Sequence, residues 1–510
     1  IPFLCAEILP GDKWNVGIEA HIKLAPMLYP IMHRIDASFH LFFVPTRIIW
    51  SDFEKYSIAF ANGVDETTPV KPYLSLRTLA NMQLPVLGNP LGNGTLLDYL
   101  GFPTITDPQA MGSLRTSNRS INSLPLRAYQ CIYNEYYRDE NLIDEVDFRK
   151  DFSGSDDSIA PNLLMLRKRA WKKDYFTACL PWTQKGDPVA MPLDLSVGYT
   201  SLDRLARSGG GDSIANATLK TDGAGLLIGS YSDGGTIPGS ITNLEGRMHG
   251  NAHTHSINSA SININDLRSY FMLQGIKEQL ARGGTRYTEF LRGVYGVVSS
   301  DSRLQRPQYL GGCKTPVMIS EVLQTSASAE TSALGQMAGH GIAVGASGLS
   351  SHYFEEAGFI IGIMSITPKA DYYQGLSRMW TRQDVNDEFY PQFGAMGEQA
   401  VRNEELFFTA VNDDRDESTF GYIPRYSEFR FLPNRVCGEF RDTLDAWHLA
   451  RKFSRTDPPA LNQDFIEVDP SDFTRIFNTA EAADEHFRVQ IGLNIRASRP
   501  LSKYGTPKVL

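Results

Sequence analysis

The sequence predicts a mainly β chain: an antiparallel sandwich whose first and last strands meet in space and whose connections are greatly enlarged. Three observations predict it. Stretches with the two-residue period of strands stand near both ends of the 510 residues, helix-period stretches and a Gly-rich segment lie between them, and antiparallel sheets of this kind close by joining strands distant in sequence. A chain of this length also exceeds the size at which a single core usually keeps growing, so either several domains or one core with large insertions is required.

Residues 3–35 mix short apolar runs with Pro10, Pro26 and Pro30, and the turn-like Leu9-Pro10-Gly11-Asp12 precedes a short strand. In 36–56, Phe39, Leu41 and Phe43 alternate with Ser38, His40 and Phe42, the pattern of a strand with one face more buried than the other. Pro45 ends that ladder because it has no N–H to donate. Ser51 and Glu54 have the S-x-x-E spacing of a capping box, with Phe53, Tyr56 and Phe60 on one face of the helix that follows. Residues 62–122, rich in Pro, Gly and Asn, predict a long irregular excursion.

The spacing of Leu126, Tyr129, Tyr133 and Tyr136 predicts a helix over 124–141, with Ser123 as its cap and Pro125 in its first turn. A second helix is predicted over 266–282, with Leu273, Ile276 and Leu280 on one face and Gly283-Gly284 as its stop. Thr285 can cap a third, through Arg292. Between the first and second helices, residues 198–262 hold 12 Gly in 65 positions with few bulky apolar residues. Such a segment cannot bury enough apolar surface to form a core of its own, and it reads as an exposed insertion. Strands return at 359–364, a continuous apolar run buried on both faces. They return again at 487–496, where Phe487, Val489, Ile491, Leu493 and Ile495 alternate with polar residues or Gly.

Composition narrows the function. Apolar content of 42% and charged content of 21% are ordinary, while 22 Tyr and 27 Phe suit strands and large interfaces. The net charge of −9 excludes a chain whose bulk wraps nucleic acid, because that affinity comes largely from Lys and Arg. No apolar run reaches the length of a membrane-spanning helix, and no signal peptide is visible at Ile1. Five widely spaced cysteines form neither a disulfide framework nor a zinc motif, and fit a reducing compartment.

Reactive constellations are scarce. Gly339-His340-Gly341 and Gly223-Ala224-Gly225 do not continue as dinucleotide fingerprints, and Cys313 stands where a P-loop glycine belongs. His249, His253 and His255 are metal-like in spacing but sit in the Gly-rich segment without a nearby Cys, so polar surface histidines, or a ring formed at a symmetry axis, explain them better than a metal site. Asp413, Asp414, Asp416 and Glu417 lack EF-hand spacing and suit a solvated loop. Arg167, Lys168, Arg169, Lys172 and Lys173 give five cations in seven residues, with Trp171 and Tyr175 interleaved. Two readings stand for this stretch: a solvated face, or a single-stranded nucleic-acid contact in which phosphates pair with the cations and bases stack on the rings.

Several long segments carry a resemblance in one order along the chain. These are EILPGD at 7–12, FFVPTRIIW at 42–50, LPLRAYQCIYNEYYRDENL at 124–142, DYFTACLPWTQKGDP at 174–188, ARGGTRYTEFLRGVYGV at 281–297, DSRLQRPQYLGG at 301–312, YYQGLSRMW at 372–380, MGEQAV at 396–401, FGYIPRYSEFRF at 420–431 and LDAWHLA at 444–450. With them the chain resembles the major capsid protein of the Microviridae, single-stranded DNA bacteriophages, and most closely the gokushovirus branch. The resemblance implies a single eight-stranded antiparallel jelly roll over 1–510, with its main helical and loop insertion over 51–315. It also implies that 198–262 is a surface protrusion at the three-fold axes, suited to host attachment.

It further implies assembly, in the bacterial host cytoplasm, into a T=1 icosahedral virion shell around a circular single-stranded DNA genome. The implied partners are copies of the chain itself, a small basic DNA-packaging protein, that genome and a receptor on the bacterial surface. No catalytic residue, cofactor, metal or membrane insertion is expected. The competing class is a jelly-roll carbohydrate-binding protein or glycoside hydrolase, although no carboxylate pair identifies itself for that chemistry.

Overall fold

The computed structural model describes residues 1–58, 69–85, 88–187, 264–323, 337–348, 351–409, 414–454, 458–477 and 486–501, together with short stretches between 189 and 230. The chain divides into two compact units, one formed by Ile1–Gly186 with Lys277–Leu510, the other by Asp187–Ile276. In the second unit two short antiparallel pairs join Leu205–Ala206 to Ser213–Ile214 and Thr218–Thr221 to Leu227–Ser230. His249, His253 and His255 lie outside the described residues.

The first unit is built on an eight-stranded sheet: β1 (Pro2–Ile8), β2 (Lys13–Leu24), β3 (Ile35–Pro45), β4 (Gln308–Leu323), β5 (Met337–Gly348), β6 (His352–Tyr353), β7 (Gly358–Pro368) and β8 (Phe487–Ser498). The order is β1-β7-β3-β4-β5-β2, with β6 and β8 also on β2, and every pairing is antiparallel. Strand β4 serves two halves. Its residues 308–317 pair with β3 and its residues 318–323 with β5. Pro316, which has no N–H for a ladder, stands next to the point where the partner changes.

The two halves face each other across one core. From β2 come Trp14, Val16, Ile18, Ala20, Ile22 and Leu24, all buried, while the alternate residues face outward. From β3 and β7 come Ile35, Ala37, Phe39, Leu41, Phe43, Ile360 and Met364. Each large apolar side chain fully buried here contributes about 1.5–3 kcal/mol. The last strand closes on the second strand and not the first: β8 pairs with β2 over twelve residues, from Phe487↔Leu24 to Ser498↔Lys13. Its inner Phe487, Val489, Ile491 and Leu493 pack against the same core.

Both faces of β3 are covered, where the alternation predicts one favoured face. Phe42 and Val44, with Phe359, Ile361 and Ile363 of β7, pack on a second core contributed by the insertion, including Ile49, Trp50, Leu79, Leu96, Leu126 and Leu163. The excursion over 62–122 is accordingly less irregular than its composition suggests. It contains the short helices Leu76–Asn81, Leu96–Tyr99 and Pro108–Leu114, capped by Ser75, Thr95 and Asp107 through side-chain bonds to backbone N–H groups.

Two expected caps are spent elsewhere. Ser51 precedes a helix that starts at Phe53, and its hydroxyl donates to the Lys150 carbonyl. Helix α1 (Leu124–Ile132) continues only as a π-turn to Tyr137, short of Asn141. Ser123 donates its hydroxyl to Asp156 instead of capping α1. Asp156 also holds Arg127 through two bonds, at 2.7 and 3.0 Å, and both side chains are fully buried. The Ile49 and Phe152 carbonyls take further donors of that guanidinium. This internal pairing is what makes a buried charge tolerable.

Helix α2 (Ile264–Gly283) ends as predicted at Gly283-Gly284, whereas helix α3 (Tyr287–Tyr295) runs past the expected Arg292 and stops at Gly296 in the left-handed conformation. The expected apolar face of α2 is not packed: Leu273 and Ile276 are exposed, and Ala281 is buried. Thr285 donates to Asn141, and Glu289 accepts the Arg286 N–H that opens α3.

Candidate assembly surface

The basic stretch at 167–173 leaves little of its charge open. Arg167 bonds Gln130 and the Asn162 carbonyl and lies over the Tyr133 ring at 5.7 Å. Arg169 donates to Ser365 and lies over Tyr137 at 5.5 Å. Burial works against both guanidinium charges. Lys168 pairs with Asp469 at 2.7 Å and Lys173 with Asp139. Trp171 is only 5% exposed, packed in the sandwich core, so it presents no ring face to a base. Lys172 is exposed with no partner among the described residues. The geometry thus brings the seven residues together as an internal brace with three lysine side chains at its surface.

Of the acidic group, Asp413 lies outside the described residues. Asp416 is buried and accepts from the Thr409 hydroxyl at 2.8 Å. Among the described residues no three His, Cys, Asp or Glu side chains gather as metal ligands, and no helix is long and apolar enough to cross a membrane.

What the structure does display is an aromatic surface in 372–432. Beneath it, the antiparallel pair Glu398–Arg402 and Thr419–Pro424 sits on a third core that includes Tyr175, Phe176, Tyr372, Val401, Leu406 and Phe465. Trp380 is 70% exposed and Leu432 89%, and Val385, Phe389, Met396 and Phe429 are exposed too. The rings are arranged and not merely loose. Phe389 meets Phe429 at 5.6 Å and Tyr426 at 4.8 Å, and Arg382 lies over Phe429 at 4.6 Å.

Polar contacts fix that arrangement. Arg382 pairs with Glu428 at 3.0 Å, and Glu428 accepts from Gln399 at 2.7 Å. Tyr426, held in the left-handed conformation, donates its N–H to Gln399 and its hydroxyl to the Glu388 carbonyl. Apolar, aromatic and Arg side chains in one preorganised patch with a charged rim are what a protein–protein contact needs. In the sequence, YYQGLSRMW and FGYIPRYSEFRF stand out for their resemblance alone. Exposure of Trp380 and Leu432 depends on packing that no local pattern encodes.

An antiparallel sandwich with large insertions and an exposed aromatic surface is an architecture that viral shell subunits use. The chain belongs to the capsid protein (F protein) family, whose model matches residues 1–509. It is 36% identical to the capsid protein VP1 of Bdellovibrio phage phiMH2K over 493 residues, covering 91% of this chain and 84% of that one. It is 31% identical to the capsid protein VP1 of Chlamydia phage 1, covering 99% and 92%, and 29% identical to that of Spiroplasma virus 4, covering 99% and 91%. The family and these relatives mark it as a gokushovirus-like major capsid protein of the Microviridae, a component of the virion.

Proposed function

We propose that this chain self-assembles, without catalysis, into a closed T=1 icosahedral shell around a circular single-stranded DNA genome. We further propose that residues 198–262 present a host-attachment surface on its exterior. The observation that carries the first reading is the aromatic surface around Trp380, Phe389, Phe429 and Leu432, in a chain matched by a capsid family along its whole length. Lasting subunit contacts bury about 2,000 Å² or more, and a surface left this apolar gains most when a second copy covers it.

The net charge of −9 leaves most neutralisation of the genome to a small basic partner. Of the basic stretch, Lys172 is the side chain best suited to local phosphate contact, since Lys168 and Lys173 already pair with Asp469 and Asp139. Assembly proceeds in the bacterial cytoplasm, and a receptor on the bacterial surface meets the insertion. The test is expression of the chain with 198–262 replaced by a short Gly/Ser linker, alongside the unaltered chain. Electron microscopy should find closed shells from both, and phage carrying the shortened chain should no longer adsorb. Absence of shells from the unaltered chain with its helper proteins present would overturn the assembly reading. Shells that adsorb normally without the segment would overturn the attachment reading.

A further inference from the structure

We infer that a cleft between Trp171 and the segments 449–452 and 472–475 is an anion site built for a single phosphate group. Its walls carry three cationic side chains, Arg451, Lys452 and Arg475, and one exposed carboxylate, Asp472, which interacts with both arginines. The remaining wall is apolar and includes Phe473. The water-accessible space is about 30 Å³. That admits about two water-sized groups, room for two of a phosphate's four oxygens and too little for a nucleobase.

The donors are the decisive feature. Trp171 Nε1, Arg451 Nη1 and Arg475 Nε are all buried, and none has an acceptor among the described residues. They cannot swing away to find one. Arg451 is held by a bond from Nη2 to the Phe465 carbonyl at 2.8 Å and lies over the Phe465 ring at 4.1 Å and the Trp171 ring at 5.2 Å. Arg475 Nη2 donates to the His448 and Ala450 carbonyls at 2.9 and 2.7 Å. Trp171 is fixed by the core and by the bond from its backbone N–H to the Ile466 carbonyl. Three N–H donors without an acceptor, on residues that line one cleft and are each held in place by other contacts, suit an oxyanion.

The neighbouring cleft lined by Arg167, Lys168 and Arg169 does not compete. Arg167 and Arg169 already donate to Gln130, Asn162 and Ser365. The phosphate could come from a DNA backbone or from free inorganic phosphate, and the chemistry is the same. The inference rests on the donor geometry and not on shell assembly, so the two fail separately.

The test is equilibrium dialysis of the full-length protein against radiolabelled inorganic phosphate. Trp171→Phe keeps the ring and removes one donor. It should weaken binding about tenfold, as expected for a hydrogen bond to a charged group. Lys452→Gln, at an exposed position where the ammonium also pairs with Asp445 at 2.7 Å, should weaken it roughly threefold. An oligothymidylate of about 12 nucleotides that displaces the phosphate identifies DNA as the source, whereas failure to displace identifies the free anion. No saturable phosphate uptake, uptake unchanged in both variants, or displacement by acetate as effective as by phosphate would each refute the site.

Discussion

His40 shows how one residue ties the sheet to the insertion. It projects from β3 away from the sandwich core, shares a 2.8 Å hydrogen bond with the Tyr137 hydroxyl and sits edge-on to Phe42 and Tyr309. Burial, aided by the nearby Arg169 guanidinium, lowers its pKa from 6.5 to about 4. The unfolded chain therefore binds this proton near pH 6.5 and the folded chain only near pH 4. Its contribution is complete above about pH 6.5, falls as pH drops towards 4, and changes no further below that. His40→Gln should flatten this part of the pH profile of the urea midpoint, and superimposable profiles would exclude the assignment. The sequence displays His40 as one polar member of an alternation, with no sign of its partner 97 residues away. The basic stretch at 167–173 is a parallel case: charge and ring types are plain in the sequence, but the acceptors that occupy them, Gln130, Ser365 and Asp469, come from other elements.

Individual elements differ in how openly they announce themselves. Strand β8 is legible because its inner residues are bulky and its outer ones polar or Gly. Val489→Asp should cost on the order of 3 kcal/mol by placing a carboxylate against the core. Gln490→Asp, one residue on and facing outward, should stay near neutral. A comparison of soluble yield and denaturation midpoint checks the pair, and equal losses would mean the strand is not held in this register.

Strand β5 hides for the opposite reason. Its buried positions are Gly341, Ala343 and Gly345, and its outward ones include Ile342 and the exposed Val344. A Cβ at Gly341 would fall 2.9 Å from Leu24, and one at Gly345 would clash with the Thr315 hydroxyl. Close approach of neighbouring side chains requires small residues there, and the usual apolar alternation is inverted. Strand β4 is masked similarly by Gly311-Gly312 and Pro316. At Gly312 an added Cβ would run into the Phe39 carbonyl of the paired strand. The glycines read in the sequence as failed nucleotide motifs are sheet residues, at 311–312 and at 339–341.

For the molecule as a whole, the class of fold and the order of its motifs were readable, because buried period-two strands and long matched segments persist along the chain. The exposed aromatic surface was not, since exposure of an aromatic residue is decided by elements far apart in sequence. Trp380→Ser with Leu432→Ser should leave the subunit folded, because both side chains are exposed and outside the three cores. Removal of two such anchors from an interface commonly costs several kcal/mol. Sedimentation should then find free subunits where the unaltered chain gives shells. Normal shells from the double variant would move the contact to another face.

The junction between the two units has a consequence for how such a chain can diversify. It leaves the first unit at Gly186 and returns at Lys277, and the Lys185 N–H donates to the Lys277 carbonyl at 3.4 Å. Exit and entry are thus pinned side by side. The entropy of closing whatever chain lies between them rises by only about 0.6 kcal/mol for each doubling of length. The intervening sequence can therefore be exchanged, lengthened or replaced by a foreign peptide at little thermodynamic cost to the sheet, making this position a natural graft point for display.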